Sequence, residues 1–160
     1  MAVHPVEDSC GSSNDCATLL EALQRAKQSD GLMVQLSLLP GVFDESGSGG
    51  IAGGSPLLTL DSSWAASRVI IRGASARTSL RLGISVLSGS PPLTIHSMQG
   101  EGGMTGRALR IAGGSVVVQD VVFQDARGGA VSVEGLGSVA DIVSSTFHGN
   151  GANCSRGGGV

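Results

Sequence analysis

Apolar residues follow two different periods in turn along this chain. From Asp15 to Lys27 they recur every three to four positions. Leu19, Leu20, Leu23 and Ala26 fall on one face of a helix, and Glu21, Gln24, Arg25 and Lys27 point elsewhere. Asp15 or Thr18 can serve as the N-cap, and Thr18-x-x-Glu21 has the capping-box form, in which each side chain binds a free N–H of the first turn. Gly31 stands where a helix end favours positive φ. The pattern predicts one helix of about three turns inside a capping segment, residues 15–31. The polar, turn-rich residues 1–14 read as a flexible N-terminal segment.

Beyond Gly31 the period becomes two. Val34-Gln-Leu-Ser-Leu38 alternates and stops at the Pro40-Gly41 turn, which predicts a half-buried strand. A Gly/Ser loop runs from Asp44 to Pro56, and Leu58-Thr-Leu60 follows it. A repeat then emerges. Apolar pairs separated by one residue occur at Val69/Ile71, Leu93/Ile95, Val116/Val118 and Ala140/Ile142, with successive starts 24, 23 and 24 positions apart. A second set stays in step with the first: Ile84/Val86, Leu109/Ile111 and Val131/Val133 begin 15, 16 and 15 residues after Val69, Leu93 and Val116. Phe123 and Phe147 each lie seven residues past the start of their pair.

Several architectures share such a period. Leucine-rich repeats need a Leu-x-x-Leu-x-Leu frame with Asn, which is absent. Hairpins would show Asn-Gly or Asp-Gly two-residue turns between these strands, and none joins them. A helical solenoid would need an amphipathic helix in every copy. What remains is an all-β coil in which each repeat is one rung of about three short strands, stacked on its predecessor at the strand spacing of ~4.8 Å. Gly and Ser clusters make its corners. The reading is a single-stranded parallel β-helix over residues 32–160, with about 23–24 residues per rung and the helix closing its N-terminal end.

The last two copies carry more than spacing. They read Val116-x-Val118-x₄-Phe123 with Gly128-Gly-Ala-Val131, then Ala140-x-Ile142-x₄-Phe147-His-Gly-Asn150 with Gly157-Gly-Gly-Val160. These resemble repeats of the right-handed, pectin-lyase-like parallel β-helix superfamily, and within it the polymorphic outer-membrane protein type, marked by F-x-x-N and G-G-A-(I/L/V). The first copy departs at Ala126, where Asn is expected, and the second at Gly159, where Ala is expected. The resemblance is close over residues 115–160 and looser from about residue 68. It implies an extracellular or cell-surface location and a structural or adhesive role, with carbohydrate or another surface protein as the partner classes it leaves open. It also implies that an N-terminal helix, here residues 15–29, covers the open end of the coil. The sequence ends at Val160, where the second strand of the last rung is due. The expectation is therefore a C-terminally truncated coil, a fragment of something longer or a degenerate gene product.

Composition narrows the partners. Of 160 residues 14% are charged, with a net charge of −3, so no basic patch is available for nucleic acid. Aromatic residues make up 2% and Tyr is missing, so the core must be built from Val, Leu, Ile and Ala. No apolar run approaches the ~18–20 residues of a membrane-spanning helix, and no signal peptide is visible at the start. Cys10 and Cys16 can close a disulfide in an oxidising compartment, leaving Cys154 odd; three free thiols fit equally well. Cys10-x₅-Cys16 without a neighbouring His is not zinc-ligand spacing, and no cofactor is expected.

Parallel β-helices also host polysaccharide lyases and hydrolases, whose acids tend to come from equivalent positions on adjacent rungs. The repeat phase places Asp120 with Gly73, Ser97 and Ser144; Asp125 with Thr78, Gly102 and Gly149; and Asp141 with Ile70, Thr94 and Val117. No acid falls on another acid. No catalytic, cofactor-binding or metal-binding residue is therefore assigned, and the rival reading is a carbohydrate-active fragment whose catalytic rungs lie elsewhere. Arg72, His96 and Gln119 form one polar file, read as a solvated outer face. Asn150, beside His148 in a turn, is expected to bond turn backbone, and Trp64 to pack against the N-terminal strands instead of offering a sugar platform. Gly100 to Gly106 does not link a strand to a helix, so it is no phosphate loop. No Gly-x-Ser-x-Gly elbow occurs.

Overall fold

Every second residue of a half-buried strand must leave water on the same side, so strands of this kind are stable only when stacked. A computed structural model of the chain describes residues 2–3, 15–16, 19–44, 58–75, 77–81, 83–101 and 107–151. In order they form β1 (Ala2–Val3), β2 (Asp15–Cys16), α1 (Leu19–Lys27), β3 (Met33–Leu38), β4 (Gly41–Asp44), β5 (Leu58–Leu60), β6 (Arg68–Gly73) and β7 (Thr78–Arg81). There follow β8 (Ile84–Leu87), β9 (Leu93–Gly100), β10 (Leu109–Ala112), β11 (Ser115–Gln124), β12 (Val131–Glu134), β13 (Val139–Val143) and β14 (Thr146–His148). One sheet has the order β13-β11-β9-β6-β3-β1-β2, with β14 on β11, and β4 on β7 on β9; a second runs β12-β10-β8-β5. The pairings are parallel, and from β3 onward neighbouring strands lie one coil apart in the chain. The protein is an all-β parallel solenoid of about four coils.

The inward files are continuous. Val34, Val69, Leu93, Val116 and Ala140 stack in one; Leu36, Ile71, Ile95, Val118 and Ile142 stack in the next. On the second sheet Leu58, Ile84, Leu109 and Val131 form a third. Phe43, Leu80, Gly100, Phe123 and Phe147 share a fourth. Gly100 makes room in that file, since a Cβ there would lie 3.0 Å from the Phe123 ring. Aliphatic side chains thus supply the core volume, each worth roughly 1.5–3 kcal/mol when fully buried.

A single left-handed residue turns the long strands from one face of the solenoid to the next. Ser97 (φ 59°), Asp120 (φ 53°) and Ser144 (φ 50°) occupy this corner on successive coils. Short polar side chains tolerate the conformation better than bulky ones. The amide of Val121, just past the corner, is bound by Ser145 Oγ of the following coil at 3.3 Å, and that hydroxyl donates to Val143 O at 2.9 Å.

At the N-terminal end α1 lays Leu19, Ala22, Leu23 and Ala26 into the same core as the rungs. The described part of the helix begins at Leu19. Asp15 lies in β2, paired with Ala2; its side chain and Thr18, on which the expected cap turns, lie outside the described residues, as does the Leu20 side chain. Parallel pairing of Asp15–Cys16 with Ala2–Val3 gives this backbone its partners before the helical period begins. Gly31 takes φ 64° as expected, and its N–H donates to Ala65 O at 3.0 Å, leading the chain into β3. Ala2–Val3 form a strand within the segment expected to be flexible; Cys10 and Cys154 lie outside the described residues. Among the described residues no helix is long and apolar enough to cross a membrane.

Candidate functional site

Residues that alternate with the core point outward, and stacking lines them up in polar files. The file beyond the left-handed corner holds Arg81 of β7, then Glu101, Gln124 and His148 on successive coils. Glu101 is its centre. Its Oε1 accepts from Ser79 Oγ at 2.7 Å and from Gln124 Nε2 at 3.4 Å, and its Oε2 accepts from Arg81 Nε. Three coils meet on one carboxylate whose side chain is only 16% exposed. Burial pushes the Glu101 carboxyl up, but the hydrogen bonds from Ser79, Arg81 and Gln124 and the Arg81 charge together hold it below the usual glutamate range. A carboxylate so occupied stays ionised at neutral pH and has no proton to give. Its chemistry is that of a strut between coils, while the half-exposed Arg81 keeps other N–H donors toward solvent.

A second cluster lies on the other sheet. Glu134 accepts from Arg107 Nη1 at 2.6 Å and from Arg110 Nε and Nη2 at 3.2 and 3.1 Å. Arg107 Nε also donates to Gly128 O at 3.1 Å. Arg110 chiefly holds the Glu134 carboxyl below its ordinary value. All three side chains are substantially exposed, so the pairs bring about 0–1 kcal/mol each.

The polar file read from the sequence is present: Arg72 pairs with His96, and His96 with Gln119. His96 is half-buried, and its Nδ1 lies 3.4 Å from Ser97 Oγ. Burial, then the Arg72 charge, depress its pKa, with Asp120 opposing. The ring is neutral at pH 7, so the file holds one cation beside an uncharged imidazole.

The acids fall mostly where the repeat phase puts them. Gln119 pairs with His96 and Val143, which sets Asp120 level with Ser97 and Ser144, and Asp141 pairs with Val117. Asp125 is level with Gly149, whose Cβ, if present, would lie 2.7 Å from Asp125 Oδ1. Thr78, however, is not in that file. The offset between coils is 24 at Arg72–His96 (96 − 72) but 20 at Ser79–Gln99 (99 − 79), because four more residues separate Arg72 from Ser79 than separate His96 from Gln99. Thr78 is instead buried, and its hydroxyl donates to Leu38 O and Leu39 O at 3.5 and 3.3 Å. Asp120, Asp125 and Asp141 have no acid at the adjacent described rung. Among the described residues no group of three or more His, Cys, Asp or Glu side chains gathers to hold a metal ion.

Trp64 is buried, with Nε1 donating to Thr59 O at 3.0 Å, so its ring serves packing. Asn150 bonds turn backbone as expected: its Nδ2 donates to Phe123 O at 2.8 Å and its Oδ1 accepts from Ala126 N at 3.1 Å. Phe147 stacks on Phe123 with ring centroids 5.2 Å apart.

The arrangement defines a parallel β-solenoid whose two best-formed polar clusters tie coils together. No family model matches the chain, and neither a curated protein nor a solved structure is significantly similar to it.

Proposed function

We infer that the chain is a non-catalytic β-helix module with a structural or adhesive role in a surface or extracellular protein. In this reading its coils are pectin-lyase-like, with repeats of the polymorphic outer-membrane protein type. The observation that carries it is Glu101, an outward carboxylate largely withdrawn from solvent, whose oxygens are taken up by donors from its neighbouring coils. The motif residues act the same way. Phe147 and Asn150 fasten one coil to the one before it. In Gly128-Gly-Ala-Val131, Gly129 takes φ 94° and donates to Ala126 O at 3.0 Å, while Ala130 and Val131 are buried. Residues that would be read as a signature thus have mechanical duties, which suits a scaffold that presents its outer face to carbohydrate or to another surface protein.

The test is incubation of the purified chain with pectin and other polyuronides, with and without Ca²⁺, following release of unsaturated uronides and the melting temperature. The scaffold reading predicts no release and no calcium-dependent shift. Release of unsaturated products would overturn it in favour of a lyase.

A further inference from the structure

We propose that Asn150 is a self-modification site. The fold protects its side-chain amide while the last described coil is closed, and the amide converts to aspartate or isoaspartate once that coil opens. The idea stands independently of any ligand or surface role.

Of the asparagines Asn14, Asn150 and Asn153, Asn150 alone precedes a glycine. Gly151 is exposed, and it carries no side chain to crowd its backbone nitrogen. Attack by that nitrogen on Asn150 Cγ forms a new C–N bond and closes a five-membered succinimide. The Nδ2 group leaves as ammonia, taking the proton given up by the Gly151 N–H. Water then adds to one of the two imide carbonyls and breaks a ring C–N bond. One outcome leaves aspartate in a normal backbone; the other leaves isoaspartate, with an added methylene in the chain. One water is consumed, one ammonia is released, and a neutral amide becomes a carboxylate.

The closed coil forbids the first step. Both polar atoms of the amide are held by the preceding coil, Nδ2 on Phe123 O and Oδ1 on Ala126 N. Turning Cγ toward the Gly151 nitrogen breaks both bonds, so attack geometry exists only in an opened state. Opening is easiest in this coil, where Ala140, Ile142 and Phe147 are only partly buried. The product cannot re-form the clamp: a carboxylate has no donor for Phe123 O, and isoaspartate also changes the backbone length. A transient opening therefore becomes a permanent release of the coil.

The experiment incubates the intact chain in mildly alkaline buffer, native and in denaturant. The tryptic peptide from Gly128 to Arg156 is followed for a gain of about one mass unit, localised by fragmentation to Asn150. Conversion in the native protein is expected to be slower by about tenfold or more, in proportion to the closed population. The Ala126 amide is expected to lose hydrogen-exchange protection in step with conversion, and Ile142→Ala to raise the native rate. Equal rates in the two states, no conversion in denaturant, or conversion that leaves Ala126 exchange unchanged would each overturn the proposal.

Discussion

Ile95 and Ile142 are the same residue in the same inward file, two coils apart, yet they live in different surroundings. Ile95 is buried between β6 and β11, with Ile71 on one side and Val118 on the other. Ile142 meets Val118 on one side and remains partly exposed. Val133 follows suit on the other sheet: it pairs with the fully buried Ile111 yet is exposed, whereas Val139 and Val143 stand at the outward positions of Ser115 and Gln119. Burial in a solenoid is thus a property of the neighbour. A rung with perfect patterning is only as stable as the rung laid on each of its faces.

That contrast predicts graded effects for identical substitutions. Ile95→Ala, which opens a cavity in the closed middle, is expected to cost about 2–5 kcal/mol in denaturant unfolding, and Ile142→Ala only about 1 kcal/mol. Comparable losses would remove the distinction between the regions. At the left-handed corner Ser97→Val is expected to cost roughly 1–2 kcal/mol and Ser144→Val distinctly less, because the last coil can relax around it. Asn150→Ala removes two hydrogen bonds at a cost of about 1 kcal/mol. Its signature is local, as loss of exchange protection at the Ala126 amide. The smallest effect is acid sensitivity in the middle. The Glu101 carboxyl lies lower in the fold than in the unfolded chain, where it titrates near the ordinary value of about 4.3. Its stabilisation is therefore present above that pH and fades as pH falls through the lower folded value. Glu101→Gln is expected to flatten the acid side of the melting-temperature profile.

Much of this organisation was legible in the spacing of apolar pairs. Val69, Leu93, Val116 and Ala140 pair in the order the period implies, as do Ile84, Leu109 and Val131. Such files survive in sequence because burial demands an apolar side chain at every stacked position. The strands β4 and β7 left no comparable trace. They are four residues long, and the offset between coils changes at β7, from 24 at Arg72–His96 to 20 at Ser79–Gln99. The same shift hid the Arg81–Glu101 pair, 20 residues apart instead of one period. Arg110 and Glu134, opposite charges 24 residues apart, could have been found by looking for complementary charges at the repeat length. The strand at Asp15–Cys16 was invisible for another reason: two residues paired to a distant Ala2–Val3 carry no periodicity of their own.

The central claim is that coils lie in register, one directly on the next. Its most direct test is a disulfide ruler in a background with Cys10, Cys16 and Cys154 replaced by Ser. Thr94→Cys with Val117→Cys joins paired positions on adjacent coils, at a strand separation of about 4.8 Å that a disulfide can span. Thr94→Cys with Asp141→Cys places the thiols two coils apart, at about twice that distance and beyond reach. The account predicts rapid oxidative crosslinking of the first pair and none of the second. Crosslinking of both pairs alike, or of the second alone, would contradict it.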